Sequence, residues 1–112
     1  MTGDCVIEKA TQMLGYDNDA RYQLNYLSAL NTAYSDLFYL NHEDGFEPLK
    51  STNEEIKLSE RVLNDVMPYG VAAFIAQAMG DTDNQQFFSQ MYNLKRKRAS
   101  AQGTLEDVLP TV

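Results

Sequence analysis

The sequence predicts an all-α fold: a compact bundle of four to five helices, a short extended segment near 55–58 and a flexible C-terminal tail. Three observations predict it. Apolar residues recur three and four positions apart in several stretches, which is the spacing of one helical face. Gly, Pro and short polar groups punctuate those stretches where helices start and stop. The one alternating stretch, Glu55-Ile56-Lys57-Leu58, is too short to be a sheet of its own, and reads as an extended piece laid along the bundle or across a neighbour.

Val6, Ile7, Ala10, Met13 and Leu14 mark the first helix, about Asp4 to Leu14, and Gly15 suits a left-handed terminus. Asp17-Asn18-Asp19 offers cap oxygens for the second helix. Leu24, Leu27, Leu30, Ala33, Tyr34, Leu37 and Phe38 then carry a wide apolar stripe that runs to Leu40. The remaining positions, Gln23, Asn25, Ser28, Asn31, Thr32, Ser35 and Asp36, form a weakly charged polar face, which reads as a face meeting another subunit. From Asn41 to Thr52 the periodicity dissolves around Gly45 and Pro48, which makes a functional or interfacial loop. Ser59 caps a third helical face at Val62, Leu63, Val66 and Met67, and Pro68 predicts a kink or a fresh start. Tyr69 to Met79, with Ala72, Ala73, Ala76 and Ala78, is apolar all round and reads as the buried centre. Gly80 ends it. Thr82-Asp-Asn-Gln85 fits a capping box that starts the last helix at Asp83, with Phe87, Phe88, Met91, Tyr92 and Leu94 packing it. Residues 1–98 are expected to form one helical domain, with 99–112 a polar, mobile tail.

At 112 residues and 44% apolar, the chain is long enough for one real core and excludes a disordered composition. No apolar run approaches the roughly 20 residues of a membrane span, and the start Met-Thr-Gly-Asp lacks the features of a signal peptide, so a soluble intracellular protein is expected. The single Cys5 excludes an internal disulfide and reads as a small buried or half-buried side chain. The net charge is −7, yet Lys95, Arg96, Lys97 and Arg98 supply four of the nine basic residues and none of the sixteen acids, so the rest carries −11. Such a chain repels phosphate everywhere except at one end, so any DNA contact is local.

The sequence offers few groups that could carry out chemistry. His42-Glu43 begins like a zinc-protease motif, but Phe46 stands where the second histidine belongs, and the chain has one His. Asp81-Thr-Asp83 begins like a calcium loop, but Gln86 and Tyr92 replace its glycine and its final carboxylate. Gly-rich phosphate loops and a nucleophile elbow are missing from the sequence, and paired acids such as Glu43-Asp44, Glu54-Glu55 and Glu106-Asp107 read as solvated surface. No enzyme, cofactor or metal is therefore expected. The quartet Lys95 to Arg98 is the candidate interaction surface. It caps a helix dipole and keeps an exposed end soluble, or it meets phosphates or an acidic protein surface. Phe87, Phe88 and Tyr92 sit at helical spacing, which favours core packing over base stacking.

The chain resembles the small helical head-tail connector (neck, or adaptor) proteins of tailed bacteriophages and prophages. The resemblance rests on Ala29-Leu30-Asn31-Thr32-Ala33-Tyr34-Ser35-Asp36-Leu37, then Glu55-Ile56-Lys57-Leu58-Ser59, then Met67-Pro68-Tyr69-Gly70-Val71-Ala72, and finally Gly80-Asp81 followed by Phe87, Phe88 and Tyr92-Asn93. It covers roughly residues 5 to 98, and the order and spacing of the segments carry it. It implies a non-enzymatic virion protein that assembles with copies of itself into a ring between the portal and tail-completion proteins. It also implies proximity to DNA in a channel, no membrane, and a location at the head-tail junction of the virion or in the bacterial cytoplasm when expressed from a prophage. The alternative from another class is a small helical regulatory or nucleic-acid-associated protein using the basic end of its last helix. An enzyme remains only if the 41–52 loop completes a site in an oligomer.

Overall fold

A computed structural model describes residues 1–16, 23–40 and 42–101, which form five α-helices: α1 (Gly3–Leu14), α2 (Gln23–Phe38), α3 (Glu60–Asp65), α4 (Met67–Ala78) and α5 (Thr82–Ala101). The proposed caps Asp17 to Asp19, the loop start Asn41, the side chains of Gln23, Leu24 and Asn25, and the tail from 102 onward lie outside the described residues.

Local chemistry sets most boundaries. Thr2 Oγ1 accepts from the Cys5 amide and opens α1, and Gly15 closes it at φ 75°, a left-handed conformation that costs glycine nothing. Val6, Ile7, Ala10 and Leu14 are buried on one face. Met13 and Cys5, both expected on or near the core, are exposed. Cys5 shares the outer face with Glu8 and Gln12, one and two turns on, so helix phase and not side-chain polarity decides its burial.

On α2 the buried side chains are Tyr26, Ala29, Leu30, Ala33, Tyr34 and Leu37, and the helix stops at Phe38, leaving Tyr39 and Leu40 exposed. The polar face of α2 is partly spoken for within the chain. The Asn31 carboxamide donates to the Leu49 carbonyl at 2.9 Å and accepts from the Leu49 amide at 2.7 Å, so one side chain imitates a strand partner and buries Leu49. The 41–52 loop is thereby pinned to α2. Phe46 adds to this by packing edge-on against Tyr34 at 5.1 Å between centroids.

The extended segment lies along the bundle and pairs with the start of the same chain. Gly3 N donates to Glu54 O, Ile56 N donates to Met1 O, and Thr2 and Glu55 form the one isolated antiparallel bridge among the described residues. Ile56 is buried beneath it, and the Tyr34 hydroxyl accepts from the Lys57 amide. Ser59 Oγ then accepts from Val62 N and starts α3. Pro68 produces a fresh start: α3 ends at Asp65, Val66 intervenes, and Pro68 occupies the first turn of α4, where its missing amide hydrogen costs nothing. Helix α4 is the centre of the fold, packed against α1, α2, α3 and α5 and burying Val71, Ala72, Ala73, Ile75 and Ala76. Its alanines let neighbouring helices approach closely.

The corner into α5 differs from the expected capping box. Asp81 holds the cap: its Oδ1 accepts from Asn84 N at 3.3 Å, and its Oδ2 accepts from Asn84 Nδ2 at 2.7 Å and from the Tyr16 hydroxyl at 2.6 Å. Thr82 is already helical, and the Gln85 amide side chain turns to Ser89. A carboxylate one residue earlier outcompetes the threonine because it adds charge to the helix N-terminus and recruits a tyrosine from the end of α1. The Tyr16 hydroxyl, then Asn84, hold the Asp81 carboxyl below its usual range. If Asp81 is the cap, Asp81→Ala should lower the urea midpoint and Thr82→Ala should leave it almost unchanged. Equal losses would return the cap to Thr82.

Candidate interaction surface

Helix α5 buries Phe88, Tyr92 and Ala99 and runs to Ala101, past the expected end of the domain at Arg98. Phe87 and Leu94, both expected in the core, are 54% and 43% exposed. The reason is angular: at about 100° per residue, Phe87 sits a quarter-turn from Phe88, and only one of the two can face α4.

The same rotation divides the basic quartet. Lys95 turns toward α3, where its Nζ is 2.8 Å from Asp65 Oδ1 and 4.7 Å from the centroid of the Tyr69 ring. Arg96 turns toward α2, where its Nη1 donates to Asp36 Oδ2 at 2.5 Å and its Nη2 to Asn93 Oδ1 at 3.3 Å. The Tyr92 hydroxyl donates to the same Asp36 oxygen at 2.6 Å, and the guanidinium lies 5.4 Å from the Tyr92 ring. Lys97 and Arg98 are exposed and make no ion pair with the described residues. Among the described residues the quartet is thus two staples and two unpaired cations. The Lys95–Asp65 pair contributes under about 1 kcal/mol, because Asp65 is 63% exposed and water screens the pair. The Asp36 node matters more, since the hydroxyl it satisfies belongs to a buried tyrosine.

Burial first, then the Asp36 carboxylate that its hydroxyl bonds, push the Tyr92 pKa well above the ordinary tyrosine value. Folded Tyr92 keeps its proton where the unfolded chain gives it up. Its contribution to stability is therefore whole below about pH 10 and is lost as pH rises further, by up to about 1.4 kcal/mol per pH unit. Urea unfolding from about pH 8 to about pH 11.5 should show a smaller alkaline loss in Tyr92→Phe than in the native chain. Identical slopes would remove Tyr92 from the account.

Elsewhere, His42 stacks on Phe38 at 4.4 Å between centroids. No group of three or more His, Cys, Asp or Glu side chains that could hold a metal lies among the described residues. None of their helices is long and apolar enough to cross a membrane. A cleft of about 350 Å³ between α2 and the pinned loop is lined by Tyr34, Phe38, Glu47, Glu54, Glu55 and Lys57. Glu54 is committed there to the Lys50 and Ser51 amides. Comparison with protein-family profiles, curated proteins and solved structures finds no match for this chain.

Proposed function

We propose that the chain is a non-enzymatic structural subunit of a tailed-phage or prophage virion, a head-tail connector that forms a ring of copies between portal and tail. The observation that supports this reading best is where the segments behind the resemblance lie. Ala29–Leu37 on α2, the 55–59 segment, Met67–Ala72 on α4 and Phe88 and Tyr92 on α5 each put buried side chains into one core, while Phe87 and Asn93 of the same set are exposed. The exposed apolar side chains Tyr39, Leu40, Phe87 and Leu94 give such a subunit surfaces to cover on assembly. Lys97 and Arg98 supply the charge that an acidic neighbour would meet.

Within the quartet, two cations without an ion pair among the described residues are few for a nucleic-acid reader. If DNA binds through Lys97 and Arg98 alone, log affinity falls against log salt with a slope no steeper than about −2. The deciding experiment disrupts the gene in the strain that carries it, induces particles and images them. Filled heads and detached tails should accumulate, and Lys97→Glu/Arg98→Glu should restore joining less well than the native chain, with a deficit that depends on salt. Normally joined particles from the disrupted strain would overturn the proposal. Tight, sequence-selective DNA binding at physiological salt would favour the regulatory alternative.

A further inference from the structure

The outer flank of α5 has an internal symmetry. Asp83, Phe87, Gln90, Met91, Leu94 and Arg98 are spaced by four, three, one, three and four residues, which places all six within about 100° of the helix surface. Phe87 and Leu94 lie equally far on either side of the Gln90–Met91 peptide bond, and Asp83 and Arg98 lie equally far beyond them. All four are exposed, and the face between Asp83 and Arg98 holds no acid. Phe87 is also held ready, its ring edge-on to Phe88 at 4.9 Å between centroids.

From this arrangement we propose that two copies of the chain pair through α5, antiparallel, about a two-fold axis that passes beside the Gln90–Met91 bond. Such an axis sets Phe87 of each copy on Leu94 of the other and Asp83 of each against Arg98 of the other. Every apolar and ionic contact is thereby made twice. The macrodipoles of the two helices run in opposite directions, and each anion at a helix start meets a cation at a helix end. A foreign helix would give no reason for one face to carry both halves of its own complement, whereas an isologous contact requires that. The exposed polar side chains Gln86, Asn93 and Lys97 lie to one side of the stripe and suit a wet rim. The pair closes on itself and stops at two. It does not rest on the connector reading: paired copies cover Phe87, Leu94 and Arg98 in solution, and entry into a ring would exchange this isologous contact for heterologous ones.

Sedimentation equilibrium of the full chain tests it, with circular dichroism and thermal midpoints as controls for folding. The native chain should be a monomer–dimer equilibrium with no larger species. Leu94→Glu should raise the dimer dissociation constant at least about tenfold. Asp83→Arg and Arg98→Asp, each alone, should also weaken the dimer by placing like charges across the axis, and the double variant should recover native affinity. With Cys5→Ser, a cysteine introduced by Gln90→Cys should cross-link copies at the axis under mild oxidation. A native chain that stays monomeric at several hundred micromolar, where even a millimolar-range association becomes visible, would overturn the pairing. So would a dimer indifferent to Leu94→Glu. Failure of the double charge swap to recover affinity would overturn the antiparallel register.

Discussion

Gly70→Ala should lower the stability of the fold by about 2 kcal/mol, although the same change in an exposed helix adds up to about 1 kcal/mol. The sign reverses because of where α5 crosses α4. A Cβ at position 70 would stand 2.7 Å from Tyr92 Cε1 and 2.9 Å from its Cδ1, inside van der Waals contact. The ring has little room to retreat, since its hydroxyl is bonded to Asp36, its edge meets Phe74 at 6.4 Å between centroids and Arg96 covers it. The added methyl must push α5 outward, and the packing of the helix is lost with it. Urea unfolding at constant m-value measures the loss, and a double-mutant cycle with Tyr92→Ala should show strong coupling between the two sites. A midpoint unchanged or raised would mean that the helices separate freely at this crossing.

Asp36→Ala should cost about 2–3 kcal/mol, more than any single change at Lys95, Lys97 or Arg98. One carboxylate oxygen receives both the Tyr92 hydroxyl and the Arg96 guanidinium, so its removal leaves a buried hydroxyl unsatisfied and a cation without its partner. Asp36→Asn should lose less, because the amide oxygen still accepts from the tyrosine. Lys97→Glu/Arg98→Glu should leave the midpoint within about 0.5 kcal/mol, as expected for exposed positions. These contrasts correct the expectation that the whole quartet stands free at an exposed helix end. Reversing all four charges would set a second carboxylate against Asp36 in place of the Arg96 guanidinium, so it would test folding and docking together. If Asp36→Ala and Lys97→Glu prove equal in effect, the node at Asp36 contributes nothing.

Much of the architecture was legible in the order of residues because helices are local objects. The faces of α1 and α4, the stop at Gly80, the cap at Ser59 and the restart at Pro68 each follow from neighbours within about four positions, which is the range over which a helix hydrogen-bonds. The segment at 55–58 was recognisable as extended for a similar reason. Where several local solutions compete, local reading chose wrongly: the capping box put the cap at Thr82, and the structure puts it at Asp81. Asp81 and Thr82 are both good caps, and the decision came from Tyr16, which is 65 residues away in the chain.

The candidate surface shows the same division. Its location at the basic end of the last helix is visible in four consecutive letters, because nothing else in an acidic chain resembles them. Which cations are free is not visible there. Lys95 and Arg96 find Asp65 and Asp36 across separations of 30 and 60 residues, and no periodicity links those positions. Likewise Phe87 and Phe88 are equivalent as letters, and only the contact of α5 with α4 sends one inward and leaves the other on the surface. By itself the sequence determined the helices, their order and the apolar centre, since those depend on short-range spacing and on burial of the most apolar stretch. Only the tertiary structure decided which polar residues brace the bundle and which remain for a partner, because a side chain's availability depends on the rotation and docking of its helix against elements far away in the chain.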